Sequence, residues 1–411
     1  MHITIIALGS RGDIQPYATL GNGLKAVGYQ VRFITFESYA ALVAENELDF
    51  HAIHGNPQTL VAKAGADALS IVRSFGSLAE SYARDLSAPY LGETDLIINQ
   101  LPGGLYGFDL AEKYSVPMAL AAVIPLARTY AFPVMGFPKL PLPGYNKVTY
   151  YLAEQIVWQM YRSVINRWRK QTLSLPPLPV AGYFSQLGTR HIPILNGFSE
   201  HVVQRPADWS EYIHITGYWF PEEKPWQPPS DLQAFIEAGS PPVFIGFGSM
   251  PVKDPQQTTA IILEALKQSG QRGVLQTGWG GIGNQMLPDN VFKIDYAPFN
   301  WLFPRMGMVI HHGGSGTTSF GLRAGIPSCV ISFIFDQFYW GERIAELGVG
   351  LKPIHYANLT VERLKETIIL GVSDSRMRQK ASELGQIIRA ENGIETASQI
   401  IEQILQARRM A

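Results

Sequence analysis

A chain of 411 residues with 46% apolar content has material for two or three domains with full cores. Its 33 basic and 34 acidic residues leave a net charge of −1, which excludes nucleic-acid binding through one broad basic face and makes any basic patch local. The single cysteine, Cys329, lies in an apolar run, which excludes an intramolecular disulfide framework and fits a reducing compartment.

Residues 2–8 form a strand-like run with neither a basic leader nor a small-residue cleavage site. No stretch reaches the roughly 18 uninterrupted apolar residues of a spanning helix. A cytoplasmic protein is expected, with peripheral membrane contact left open. A helix is predicted over 16–27, and strands over 31–36, 96–99 and 118–123; β-branched runs alternating with helical patterns argue for a parallel sheet covered by helices. Between the first strand and that helix lies GSRGD, residues 9–13, where Asp13 reads as a helix N-cap ahead of Pro16. HAIH at 51–54 falls on a strand with no cysteine or acidic partner at ligand spacing, and the chain has no Asp-x-Asp triplet, so no metal is expected.

A proline-rich loop over 132–146 carries apolar residues of the kind that shape a pocket for an apolar ligand. A long helix is predicted over 145–171, where Val148, Leu152, Ile156, Met160, Val164 and Trp168 recur four apart. The row is expected to pack against the first domain; a wall of an acceptor pocket and a lipid-facing surface are its other readings. Residues 219–231, rich in proline and charge, read as a linker. A second strand series then runs through 243–247, 274–277, 291–294, 308–310 and 328–332, and an amphipathic helix over 394–409 ends the chain. Two doubly wound α/β domains follow from this order, over 1–218 and 232–393.

The densest chemistry lies at 306–337, where a buried strand feeds His311, His312, Gly313, Gly314, Ser315, Gly316 and Thr317 into a helix. Free N–H groups in the first turn of that helix, with its dipole, favour an anion. Hydroxyls of Ser315, Thr317 and Thr318 and the two imidazoles can bond phosphate oxygens, so a diphosphate is the expected guest. Gly248 and Ser249, after the first strand of the second domain, stand where open α/β sheets bind ligands.

HHGGSGTTSFGLRAG at 311–325, followed by Asp336 and Gln337, resembles the donor-binding box of family 1 glycosyltransferases, especially the bacterial, glycopeptide and sterol-type members. ALGSRGDIQPYATLGNGLKAVGYQVRF at 7–33 and PVFIGFGSM at 242–250 resemble the openings of the same family's two domains. The resemblance implies a GT-B fold: two Rossmann-like domains facing across a ligand-holding cleft, with the last helix, 394–411, crossing back to the first domain.

It also implies roles. His311, with His312 beside it, would contact the pyrophosphate. DYAPFNWLF at 295–303 resembles the uracil-holding segment, with Tyr296, Ala297 and Phe299 as candidates and Trp279 as another. Plant members carry tryptophan at the start of this segment, where this chain has Tyr296. Asp336 and Gln337 would meet sugar hydroxyls, and Asp13 would be the base. The implied activity is inverting, metal-independent and without cofactor: a UDP-sugar, by analogy UDP-glucose, would give its hexose to a hydroxylated apolar acceptor such as a sterol, carotenoid, polyketide or phenolic. A nucleotide-sugar epimerase of the same architecture is the alternative, and a non-catalytic sugar-nucleotide sensor is a further one. GSRGD in place of G-x-G-x-x-G argues against a dehydrogenase.

Overall fold

The computed structural model describes residues 1–56, 79–87, 93–101, 106–223, 225–334 and 336–410. The chain divides into two compact units, Met1–Pro221 with Asn392–Ala411, and Glu222–Glu391.

The first unit holds a seven-stranded sheet of β1 (His2–Ile6), β2 (Gln30–Phe36), β3 (Asp49–Ile53), β4 (Leu96–Gln100), β5 (Met118–Ala122), β6 (Ile194–Asn196) and β7 (Ile213–Ile215). Their order is β3-β2-β1-β4-β5-β6-β7 and every pairing is parallel. Ile5 pairs with Phe33 on one side and Ile98 on the other, and all three are fully buried. Such strands are apolar on both faces because helices cover both. The order reverses between β1 and β4, so the carboxyl end of β1 is a natural ligand position.

The first helix, Arg11–Ala26, begins five residues before the expected 16. Ser10 is its N-cap and Asp13 its third residue, so Asp13 closes a capping box and is not itself the N-cap. Pro16 therefore sits inside the helix, where it removes one hydrogen bond in the second turn. The last helix, Gly393–Met410, belongs to the same unit: Ala397, Ile401 and Leu405, four apart, enter the core with Leu20 and Leu24. Gly23 lies on the facing surface, and a side chain there would collide with Ile394. Ile401→Ala is expected to destabilise the first unit by about 2–5 kcal/mol through lost burial and the cavity left behind, read as an earlier first transition in urea denaturation.

The long helix spans Tyr145–Trp168, and its buried side differs from the predicted row. Tyr150, Trp158, Ile165 and Trp168 are buried, whereas Val148, Leu152 and Ile156 are exposed. Residues four apart drift about 40° around a helix at each step, so the row starts on the outer face and reaches the core only at Trp168. The helix is apolar on both faces, and spacing alone could not say which one packs. Beyond it Arg169, almost fully buried, bonds Asp109 and, at 2.9 Å, Glu112.

The second unit holds β8 (Val243–Gly246), β9 (Gly273–Gln276), β10 (Val291–Ile294), β11 (Met308–His311), β12 (Ser328–Ser332) and β13 (Ile354–His355). They form one parallel sheet in the order β10-β9-β8-β11-β12-β13, reversing between β8 and β11. Cys329 is fully buried in β12, and burial pushes its thiol up to about 12, so it is inert packing. The stretch predicted as a linker is packed at its start and at its middle. Trp219 sits edge-on to Tyr17 at 5.6 Å in the first core, and Trp226 meets Trp301 at 5.0 Å in the second unit.

Candidate functional site: a diphosphate cradle and a carboxylate

In the second unit the two loops at the β8/β11 reversal touch. After β8 the chain turns through Gly248 in the left-handed region, φ 56°. A side chain there would be strained and its Cβ would stand 2.9 Å from His312 Cε1, so glycine is required on both counts. The Gly248 carbonyl accepts the Trp279 N–H at 2.8 Å, which holds the partly exposed indole beside this loop, with Ser249 next to it.

β11 ends at His311, and the helix Ser315–Ala324 begins after Gly314, an extended N-cap with no side chain to close the helix end. The first bond back into the turn runs from the Thr318 N–H to the Gly314 carbonyl at 3.0 Å. The N–H groups of Ser315, Gly316 and Thr317 therefore point out of the helix with no partner among the described residues, on residues only half-buried. Their dipole end carries roughly half a positive charge, directed where an anion would sit. Thr318 is buried with its hydroxyl oxygen unpartnered among the described residues.

The two histidines are not equivalent. His311 is fully buried and its Nδ1 accepts the Gly313 N–H at 3.0 Å, so its proton is on Nε2, which has no partner among the described residues. His312 lies between the two glycine loops, against Gly248 and Gly314. Burial drives His311 down to about 3, with His312 adding to the effect, and drives His312 down to about 4. Both are neutral at physiological pH, so each offers one N–H donor and no cation.

The depressed values also govern stability. An unfolded histidine titrates near ~6.5, so below that pH the unfolded chain binds protons the folded unit refuses, and stability falls with pH down to the folded values. Between pH 7.5 and 5 the loss is expected to be about 2 kcal/mol per histidine. Urea denaturation at the two pH values checks it, and His312→Gln should remove its share.

Other expected donor residues are more dispersed. Tyr296 is exposed just after β10, and Ala297 is buried beside it. Phe299 stacks on Phe303 at 4.3 Å and meets Phe244 and Phe320 edge-on, so its ring belongs to an aromatic core cluster and is not placed to stack on a base. Asp336 is half-buried at the first turn of the helix Asp336–Leu347. Gln337 is buried: its Oε1 accepts the Phe333 and Ile334 N–H groups at 2.7 and 3.1 Å, and its Nε2 approaches Met250 Sδ at 3.0 Å. The amide expected at a sugar hydroxyl is instead taken up inside the unit, where it braces the loop under Gly313.

In the first unit Asp13 stands at the carboxyl end of β1. Its Oδ2 accepts the Ser10 N–H and hydroxyl, both at 2.8 Å, leaving Oδ1 outside any hydrogen bond among the described residues. Burial raises the carboxyl above its ordinary range, against the lowering effect of the Ser10 bonds, which makes it a better base than a free aspartate. Sequence reasoning missed Gln100, buried at the end of β4. Its Oε1 takes the Leu8 N–H at 2.6 Å and its Nε2 reaches the Asp13 carbonyl, tying down the loop that carries Asp13. The polar pair closing IINQ was its one visible signal.

Two reversed parallel sheets, one bearing an uncapped glycine-hydroxyl helix end, are the architecture of a GT-B glycosyltransferase. Solved structures agree: the glycosyltransferase of kitacinnamycin superposes with a TM-score of 0.76 at 20% identity, covering 98% of this chain and 99% of that one. VinC, solved with dTDP, gives 0.66 at 18%, covering 99% and 100%. Residues 3–92 match the glycosyltransferase family 28 N-terminal domain, and residues 280–404 match the erythromycin biosynthesis protein CIII-like C-terminal domain.

A sterol 3-beta-glucosyltransferase of Arabidopsis thaliana is 35% identical over 419 residues, covering 97% of this chain and 67% of the relative. One from Cryptococcus neoformans is 34% identical over 434 residues, and this chain spans 27% of its length. The chain belongs to this sterol 3-beta-glucosyltransferase family and is a glycosyltransferase.

Proposed function

We propose that the protein is an inverting, metal-independent hexosyltransferase that moves glucose from UDP-glucose to the hydroxyl of an apolar acceptor, with a 3β-hydroxysterol the first candidate. The observation that carries the donor side is the open first turn of the helix Ser315–Ala324, with three N–H groups that have no partner among the described residues, close to His312 and Gly248. The sterol comes from the names of the relatives, and the glucose with it.

In this reading the second unit binds the diphosphate through those N–H groups and the neutral imidazoles, with the uracil near Trp279 or Tyr296 and the sugar near Asp336. Asp13 Oδ1 takes the acceptor hydroxyl proton while that oxygen bonds to the anomeric carbon. The bond from that carbon to the β-phosphate oxygen breaks from the opposite face, and UDP leaves with the electron pair. Fixed dipoles at the helix end stabilise the charge that develops on the leaving group, which is the part a metal would otherwise play.

The test is incubation with UDP-glucose or TDP-glucose and a panel of sterol, carotenoid, polyketide and phenolic acceptors, with product stereochemistry read by NMR. A β-glucoside from UDP-glucose, formed equally well in EDTA, is expected. An α-glucoside contradicts inversion, and an altered free nucleotide sugar formed without acceptor supports the epimerase.

A further inference from the structure

Two tyrosines lie in the field of the Asp13 carboxylate, and only one of them has its hydroxyl committed. Ile6 of β1 pairs with Ile34 of β2, and the Ala7 N–H donates to the Ile34 carbonyl at 3.1 Å, so the loops leaving these two strands start side by side. One runs into the helix Arg11–Ala26, with Asp13 in its first turn. The other runs through Glu37, Ser38 and Tyr39 into the short helix Ala40–Glu45. The half-buried Tyr39 ring packs on the core cluster that holds Ile14 and Tyr17, from the same end of the helix as Asp13.

The Tyr17 hydroxyl donates to the Ala121 carbonyl at 3.1 Å, which commits it to the fold. The Tyr39 hydroxyl is buried with no partner among the described residues. Leaving a buried hydroxyl unpaired costs the fold stability, so each such group in a native structure calls for a reason, and a ligand that pairs it is one. Burial first, and the Asp13 carboxylate next, push the Tyr39 phenol up, while Arg11 pulls it down. The phenol thus keeps its proton at working pH and stands within electrostatic reach of both charges. On Asp13 itself Oδ2 is closed off, held by Ser10 and lying where a Gly9 Cβ would come within 2.7 Å. Only Oδ1 is left for a ligand.

We infer that the Tyr39 hydroxyl is a second contact for the acceptor alcohol, donating to the same oxygen whose proton Asp13 Oδ1 accepts. This rests on the reading of Asp13 as the base. An ionised carboxylate can only accept and a protonated phenol can donate, so the pair matches the two sides of an alcohol. The alcohol O–H points to Asp13, one oxygen lone pair takes the Tyr39 O–H, and the other lone pair is left for the anomeric carbon. Tyr39 keeps its own proton throughout and orients the nucleophile.

The test is Tyr39→Phe in the full chain, which removes one oxygen and keeps the ring. With the best acceptor of the panel above, kcat/KM for the acceptor should fall about tenfold, the loss of one hydrogen bond that holds the nucleophile. KM for UDP-glucose should stay within about twofold of wild type, and melting should be unchanged or slightly higher, because an unpaired hydroxyl has gone. Undiminished kcat/KM for the acceptor overturns the inference. So does a loss carried by KM for UDP-glucose, which would give the phenol to the donor sugar, and so does earlier melting of Tyr39→Phe, which would give the hydroxyl a partner inside the fold. Asp13→Asn measured alongside separates the two levels. If Asp13→Asn is crippled while Tyr39→Phe is fully active, the role of the phenol alone falls; if Asp13→Asn is fully active, the base and the pairing built on it fall together.

Discussion

Asp13→Asn is expected to lower kcat by about 10²- to 10⁴-fold, the usual range for losing a general base, with little change in the apparent KM for UDP-glucose. The asparagine oxygen can still accept the two Ser10 bonds that Oδ2 takes at 2.8 Å, so the capping box survives and the melting temperature should hold. Asp13→Ala would confuse the two roles, since it removes the cap bonds as well, at about 1 kcal/mol. The pH profile separates them further. Burial raises the Asp13 carboxyl, so wild-type kcat/KM should climb with pH through a value above the ordinary aspartate range, and the asparagine variant should lack that limb. Full turnover in Asp13→Asn would remove it from the chemistry and leave it a cap.

Gly314→Val should weaken UDP binding by about 10- to 100-fold, the loss of one or two charge-assisted hydrogen bonds. Gly314 has ordinary extended backbone, φ −62° and ψ 144°, so valine meets no backbone strain. Its Cβ would, however, stand 2.5 Å from His312 Nε2 and push the imidazole away from the glycine loops. Calorimetry with UDP checks the loss, and circular dichroism checks that the helix is intact. Unchanged affinity would mean that His312 and the N-cap do not hold the diphosphate.

The two doubly wound sheets were legible because parallel strands buried on both faces read as short β-branched runs, as in ITIIAL and MVIH. The open helix end was legible too, since glycine and hydroxyl residues without an acidic cap leave N–H groups unpaired. Less legible was which polar side chain faces a ligand and which one braces the fold. Gln337 stands next to Asp336 in sequence, yet its oxygen takes two backbone N–H groups and Asp336 stays half-buried at the helix start. Phe299 lies within the expected uracil segment, yet Phe303 four residues on and Phe244 and Phe320 from a distant strand and helix claim its ring. Partners as far off in the chain as Phe244, Phe320 and Met250 leave no trace in local spacing. The long helix failed differently: with apolar residues all round, its periodicity carried no information about the packed side.

The central claim is that the second unit grips a diphosphate through the open turn at Ser315–Thr317. Titration calorimetry of the full chain with UDP and with UMP tests it directly, because the two differ by the β-phosphate. UDP is expected to bind at least tenfold more tightly than UMP at pH 7.5. Equal affinities, or no heat with either, would contradict the account.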